Sequence, residues 1–108
     1  MNIRNIFYKS KKNRGNNNYI EIEEAKEIIN NNSNSILFDV RSVQEYKEGH
    51  LQGAINIPIY ELDIKYKKKL KEKDAIIIVY CQGERRSKKA INILEMKGFT
   101  NLYHLKMN

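Results

Sequence analysis

The 108-residue sequence has a single cysteine, a single proline and no acidic residue in its first eighteen positions. One cysteine excludes any intrachain disulfide and fits a reducing compartment, where a thiol stays free. No apolar run is long enough to span a membrane. The N-terminus has no hydrophobic leader core either: Ile3, Ile6, Phe7 and Tyr8 are broken up by polar residues, and no small-residue cleavage site follows. A cytoplasmic location is expected. Cys81, His50 and His104 lack any metal-ligand spacing, so neither a metal nor a cofactor is expected. The lone proline, beside heavy use of Asn and Lys, reflects compositional bias rather than chemistry.

What is present is enough apolar residue for one modest core, 41% of the chain, with 31% charged residues. The net charge of +7 is unevenly spread: residues 1–18 carry +5 from Arg4, Lys9, Lys11, Lys12 and Arg14, and the remainder only +2. Residues 1–18 are therefore set apart as a basic, flexible arm and residues 19–108 as the domain. Such an arm can meet nucleic acid or an anionic membrane. A short solvated tail is the simpler reading, and no nucleic-acid partner is expected.

Strand and helix patterns alternate along the domain. Tyr19 to Ile22 alternates like a strand, and Glu23 to Asn31 has the spacing of a helix. Ile36 to Val40 is an apolar run interrupted only by Asp39, the pattern of a strand covered on both faces. Val43 to Glu48 reads as a short helix stopped by Gly49, Ala54 to Ile57 as a strand, and Ile59 to Leu70 as a basic helix. Ala75 to Tyr80 is the strongest strand. Ser87 to Lys97 is an amphipathic helix ended by Gly98, and Asn101 to Leu105 a last strand. This order predicts an α/β fold with a mostly parallel sheet and right-handed crossovers, in which ligands bind at the carboxyl ends of strands.

Cys81 falls at such an end. It is followed by Gln82, Gly83, Glu84, Arg85 and Arg86, and then by Ser87 at the expected helix start. A cysteine reacts as its thiolate, and a free thiol pKa of about 8.5 leaves little of that form at neutral pH. The positive end of the helix, amides converging around Gly83, and the two arginines favour the thiolate and would also hold an oxyanion. Glu84 opposes them unless it points outward or pairs with an Arg. Four residues separate Cys81 from Arg86. Cysteine phosphatases place one more residue in that loop, so the smaller ring suits sulfane sulfur better than a phosphoryl group.

Two stretches carry a resemblance. Asp39-Val40-Arg41, Glu45-Tyr46 and the run from Gly49 to Pro58 form one; Tyr80 through Ser87 and the helix to Gly98-Phe99 form the other. Together they resemble the rhodanese-like domains, in order and at suitable spacing from Tyr19 to Leu105. The resemblance implies a five-stranded, mostly parallel sheet flanked by helices, and sulfurtransferase chemistry with Cys81 as sulfur carrier. Gln82 through Ser87 are the expected substrate-binding residues, with Asp39 and Arg41 supporting them. The implied donors are thiosulfate or a persulfide; the implied acceptors are a thiol, cyanide or a protein. A monomer is expected, a dimer being the alternative. The family's loop glycine usually lies three positions after the cysteine, whereas Gly83 lies two after and Glu84 takes the usual place. Members also usually continue beyond the last strand into paired glycines and a short helix, where this sequence stops at Asn108; a less covered sheet or a partner there is the expectation. The alternative function is a catalytically weak binding or regulatory module that senses an anion or a redox signal.

Among the remaining residues, Arg41 and Glu45 are spaced for a local ion pair. Asp39 is read either as orienting loop groups or as a turn or capping residue. The resemblance assigns His50 to a structural turn, and His104 reads as a strand residue. The basic run from Lys65 to Lys73 is read as a solvated face, with docking of an acidic sulfur acceptor as the alternative.

Overall fold

A computed structural model describes residues 18–107. Five strands form one parallel sheet: β1 (Tyr19–Ile20), β2 (Ile36–Asp39), β3 (Ile55–Asn56), β4 (Ile77–Tyr80) and β5 (Leu102–Leu105), in the spatial order β1-β5-β4-β2-β3. Four helices connect them: α1 (Ile22–Asn31), α2 (Val43–Glu48), α3 (Ile59–Lys65), continued by a 3₁₀ turn at Tyr66–Lys68, and α4 (Arg85–Met96). This is the α/β architecture the alternating pattern predicts. Of the expected arm, residues 1–18, residues 1–17 lie outside the described residues. Asn18, set at its end, is buried: its backbone carbonyl accepts from the His104 amide at 2.8 Å, and its side-chain amide donates to Leu102.

The apolar runs are explained by burial on both sheet faces. Phe38, Ile77 and Val79 pack with Leu62 of α3 and Ala90, Ile91 and Leu94 of α4; Leu37, Ile78 and Tyr80 point the other way, onto Ala25 and Ile28 of α1. All four residues of β4 are buried. Each fully buried aliphatic side chain stabilises the fold by roughly 1.5–3 kcal/mol, which makes β4 the central girder of the sheet.

Several boundaries differ from the sequence expectation, two of them for capping reasons. β1 stops at Ile20 because Glu21 is the N-cap of α1, in a reciprocal capping box with Glu24, so Ile22 is already helical. Helix α4 starts at Arg85, two residues before Ser87, with Glu84 as N-cap and its carbonyl accepting from the Lys88 amide at 2.9 Å. The chain reverses between Cys81 and that cap at Gly83, whose φ of 75° is a conformation side chains disfavour. Ser87 is therefore the third helical residue, not the first.

The basic run enters β4 from the end opposite Cys81. Lys73 donates from Nζ to the Lys97 carbonyl at 2.7 Å and lies 4.3 Å from the Phe99 ring centre, closing the C-terminus of α4. Four strand residues at about 3.3 Å each put roughly 13 Å between this edge and Cys81.

Candidate active site

Cys81 follows the last residue of β4 and is 1% exposed. Its surroundings open through a cavity of about 190 Å³, walled by Cys81, Gln82, Arg41, His50, Leu51 and Met107 among others. The Ser87 amide donates to Sγ at 3.2 Å, and Ser87 Oγ lies 3.2 Å from the same sulfur. The starting position of α4 explains this contact. An amide in the first turn of a helix has no intrahelical acceptor, and here the sulfur takes its hydrogen. The helix dipole then acts on Sγ with its positive end. Ser87 Oγ also donates to the Glu84 carbonyl at 3.1 Å.

The two loop arginines have different fates. Arg86 forms a fork with Glu45 of α2, Nη1 to Oε1 at 2.6 Å and Nη2 to Oε2 at 3.0 Å. These bonds, with those from the Ser42 amide and hydroxyl, hold the Glu45 carboxyl down at about 2, and the same carboxylate pushes the Arg86 guanidinium up. Cys81 also contributes to raising Arg86, which puts this guanidinium within electrostatic reach of the sulfur. The local pairing of Arg41 with Glu45 suggested by their spacing is not made: Glu45 turns to Arg86, and Arg41 turns to Asp39. Arg85 is exposed and enters no ion pair among the described residues. Glu84 is exposed, and its Oε1 accepts from the Tyr19 hydroxyl at 3.4 Å, away from the ring. Burial raises the Tyr19 pKa, and the charge and hydrogen bond of Glu84 add to it.

Asp39 and Arg41 build the opposite wall. Asp39 is fully buried and accepts from the Arg41 amide at 2.9 Å, from Nε at 3.0 Å and from Nη2 at 2.6 Å. A buried carboxylate needs this many donors to offset its lost hydration. Arg41 Nη2 also donates to the Gly49 carbonyl at 2.6 Å. The Tyr80 hydroxyl donates to Asp39 Oδ2 at 2.9 Å and accepts from the Leu51 amide at 3.0 Å; burial pushes its pKa up to about 12. The Asp39–Arg41–Tyr80 unit thus clamps residues 49–51, which line the cavity. His50 is stacked on Tyr46 at 3.6 Å, with Nδ1 against the Tyr46 carbonyl, in agreement with a turn role, and still lines the cavity wall.

The residue whose contacts the sequence does not disclose is His104. It lies in β5 as expected, but its Nε2 is in hydrogen-bond contact with Ser87 Oγ, and its ring stacks on Tyr19 at 4.5 Å. Burial lowers its pKa, and Lys88 adds to that, while Glu84 acts in the opposite direction. The available signal was a histidine inside an otherwise apolar, buried strand. Among the described residues, no three His, Cys, Asp or Glu side chains gather as a metal site, and no helix is long and apolar enough to cross a membrane.

Comparison with known proteins agrees with this fold. Thiosulfate sulfurtransferase PspE of Escherichia coli (strain K12) is 38% identical over 64 residues, 59% of this chain and 62% of that protein. A tRNA uridine(34) hydroxylase of Buchnera aphidicola is 38% identical over 90 residues, 76% of this chain and 28% of that protein. The chain thus spans less than two thirds of either relative. The crystal structure of a rhodanese-related protein from Thermoplasma volcanium is 30% identical, has a TM-score of 0.68 and overlaps over 82% of each chain. The model of the rhodanese-like domain matches residues 21–107. The parallel sheet, the cysteine at the end of its central strand, and this match over most of the sequence have one reading: the chain belongs to the rhodanese-like domain family.

Proposed function

We propose that this domain is a sulfurtransferase that carries sulfane sulfur as a persulfide on Cys81. The observation that carries the proposal is the setting of Sγ: at a strand end, on a small cavity, with a helix N-terminal amide donating to it at 3.2 Å. The named activity of the Escherichia coli relative supports it. In the first half-reaction the Cys81 thiolate attacks the outer sulfur of thiosulfate. An Sγ–S bond forms, the thiosulfate S–S bond breaks, and its electron pair leaves with sulfite. In the second, a thiolate or cyanide attacks the outer sulfur of the persulfide, and the electron pair of the S–S bond returns to Sγ. The cycle is covalent catalysis in two displacements, with ping-pong kinetics.

The anion is held chiefly by backbone. Arg86 is engaged by Glu45 and Arg41 by Asp39, so neither brings a free charge. The donors we assign to the terminal sulfur and departing sulfite are the amides from Gln82 to Arg86, the start of α4 and the Arg85 guanidinium. A cavity of about 190 Å³ is smaller than drug-sized ligand sites and favours a small inorganic donor or the sulfur end of a thiol. The test is mass spectrometry of the intact protein and its peptides after incubation with thiosulfate. A one-sulfur adduct on Cys81, removed by cyanide and absent in Cys81→Ser, is the expected result. No adduct with thiosulfate or with organic persulfide donors refutes the proposal.

A further inference from the structure

His104 is 2% exposed and pairs in register with Val79, so it sits one strand away from the end of β4 that delivers Cys81. Burying an imidazole between α4 and the Tyr19 ring costs hydration that an aliphatic residue would not lose, unless the ring is satisfied by a partner. The partner is Ser87 Oγ, itself fully buried, and that oxygen is also 3.2 Å from Cys81 Sγ. Sulfur, hydroxyl and imidazole therefore form an unbroken buried chain, leading away from the cavity.

Ser87 has one hydroxyl proton and three neighbours that can take it: Sγ as a thiolate, the Glu84 carbonyl at 3.1 Å, and Nε2 of His104 when that nitrogen is unprotonated. An unprotonated Nε2 competes with the sulfur for this proton. A protonated Nε2 instead donates to Oγ and leaves the hydroxyl free to turn to Sγ. We propose that His104 is a positioning residue for Cys81 acting through Ser87: a proton on Nε2 turns the Ser87 hydroxyl onto the sulfur and stabilises the thiolate, so the two side chains titrate as a coupled pair. This inference rests on Cys81 being the reacting group. With the neutral ring's own proton on Nδ1, the thiol proton passes to Oγ in the coupled step as the hydroxyl proton passes to Nε2. Thiol and imidazole become thiolate and imidazolium, and no proton is exchanged with solvent.

The other groups facing His104 are the Tyr19 ring on β1, the Glu84 carboxylate and the Lys88 ammonium of α4. Burial and Lys88 favour the neutral ring; Glu84 and an arriving thiolate favour the cation. Coupling of this kind appears as mutual shifts of both titrations.

The experiment pairs nuclear magnetic resonance titration of the His104 ring in the wild type and Cys81→Ser with ultraviolet titration of the thiolate in the wild type, His104→Phe and His104→Gln. The His104 midpoint should fall by about one pH unit in Cys81→Ser, where no thiolate forms. The thiolate midpoint should rise by about one unit in His104→Phe, about tenfold less thiolate at a fixed lower pH. His104→Gln, whose amide still donates to Ser87, should recover most of that loss. Identical His104 titrations with and without Cys81 overturn the proposal, even if the His104 variants do not fold. Persulfide formation is read separately: an adduct on Cys81 with uncoupled titrations refutes only the role of His104, and coupled titrations without an adduct refute only sulfur transfer.

Discussion

Replacing Glu45 with Gln removes one charge from the Arg86 fork while keeping an acceptor oxygen for the Ser42 amide that caps α2. The carboxyl is held at about 2, against an ordinary 4.5. At 1.36 kcal/mol per pH unit, this displacement alone would correspond to about 3 kcal/mol. The side chains of Glu45 and Arg86 are 34% and 32% exposed, however, so water screens the pair and the realised contribution is about 1–2 kcal/mol. The sign follows from the depressed folded-state pKa. The stabilisation is complete above the unfolded value near 4.5 and is lost as pH falls toward 2. Urea unfolding followed by circular dichroism should show Glu45→Gln weaker than the wild type by about 1–2 kcal/mol at neutral pH, with the gap closing through that acidic window. A gap that stays constant from neutral pH to pH about 2 would refute the reasoning, because it would assign the loss to packing rather than to charge.

Two further substitutions probe the frame around Cys81. In Gly83→Ala the new methyl meets open space but must adopt a φ of 75°, so the fold should lose about 1–2 kcal/mol. Persulfide formation, timed by mass spectrometry, should slow more than a change of that size in stability explains; unchanged stability and rate would show that the turn does not need glycine. Tyr80→Phe strips a donor from buried Asp39 and an acceptor from the Leu51 amide, costing about 1–3 kcal/mol. The urea midpoint should fall with the slope unchanged, and amide exchange at Leu51 should accelerate; a protected Leu51 amide would count against the clamp.

The fold was legible because its signals are local. The apolar runs in β2 and β4 require cover on both faces, and the spacing of Ala90, Ile91 and Leu94 requires a helix whose start lies near the cysteine. Partner choice at the site was not legible. Arg41 and Glu45 have the spacing of a helix-surface pair, yet such a pair is worth only a few tenths of a kcal/mol. The contacts that replace it are better: Arg41 satisfies a fully buried carboxylate, and Glu45 receives two guanidinium donors from 41 residues away. The start of α4 was misjudged because Ser is a common N-cap, while the cap here is Glu84, whose side chain makes no capping bond. A histidine in the apolar strand Leu102–Leu105 stands out by itself but names no partner. Its role depends on the β4–β5 register, which brings it to Ser87 from 17 residues away.

These pairings change the meaning of the charges around the loop. By sequence, the loop ring had two arginines and an opposing Glu84. In the folded protein Arg86 is neutralised by Glu45, Arg41 by Asp39, and Glu84 is drawn toward Tyr19. Most formal charge near Cys81 is thus cancelled or directed elsewhere, and what reaches the sulfur directly is Ser87, by its amide and its hydroxyl, at the start of a twelve-residue helix. A backbone donor cannot be screened away or drawn into another ion pair, and α4 is fixed to the sheet by Ala90, Ile91 and Leu94. Its position does not depend on the side chain at position 84. The displaced loop glycine and the acid beside it therefore alter the rim of the ring, while the donor that touches the sulfur belongs to the core packing of the fold.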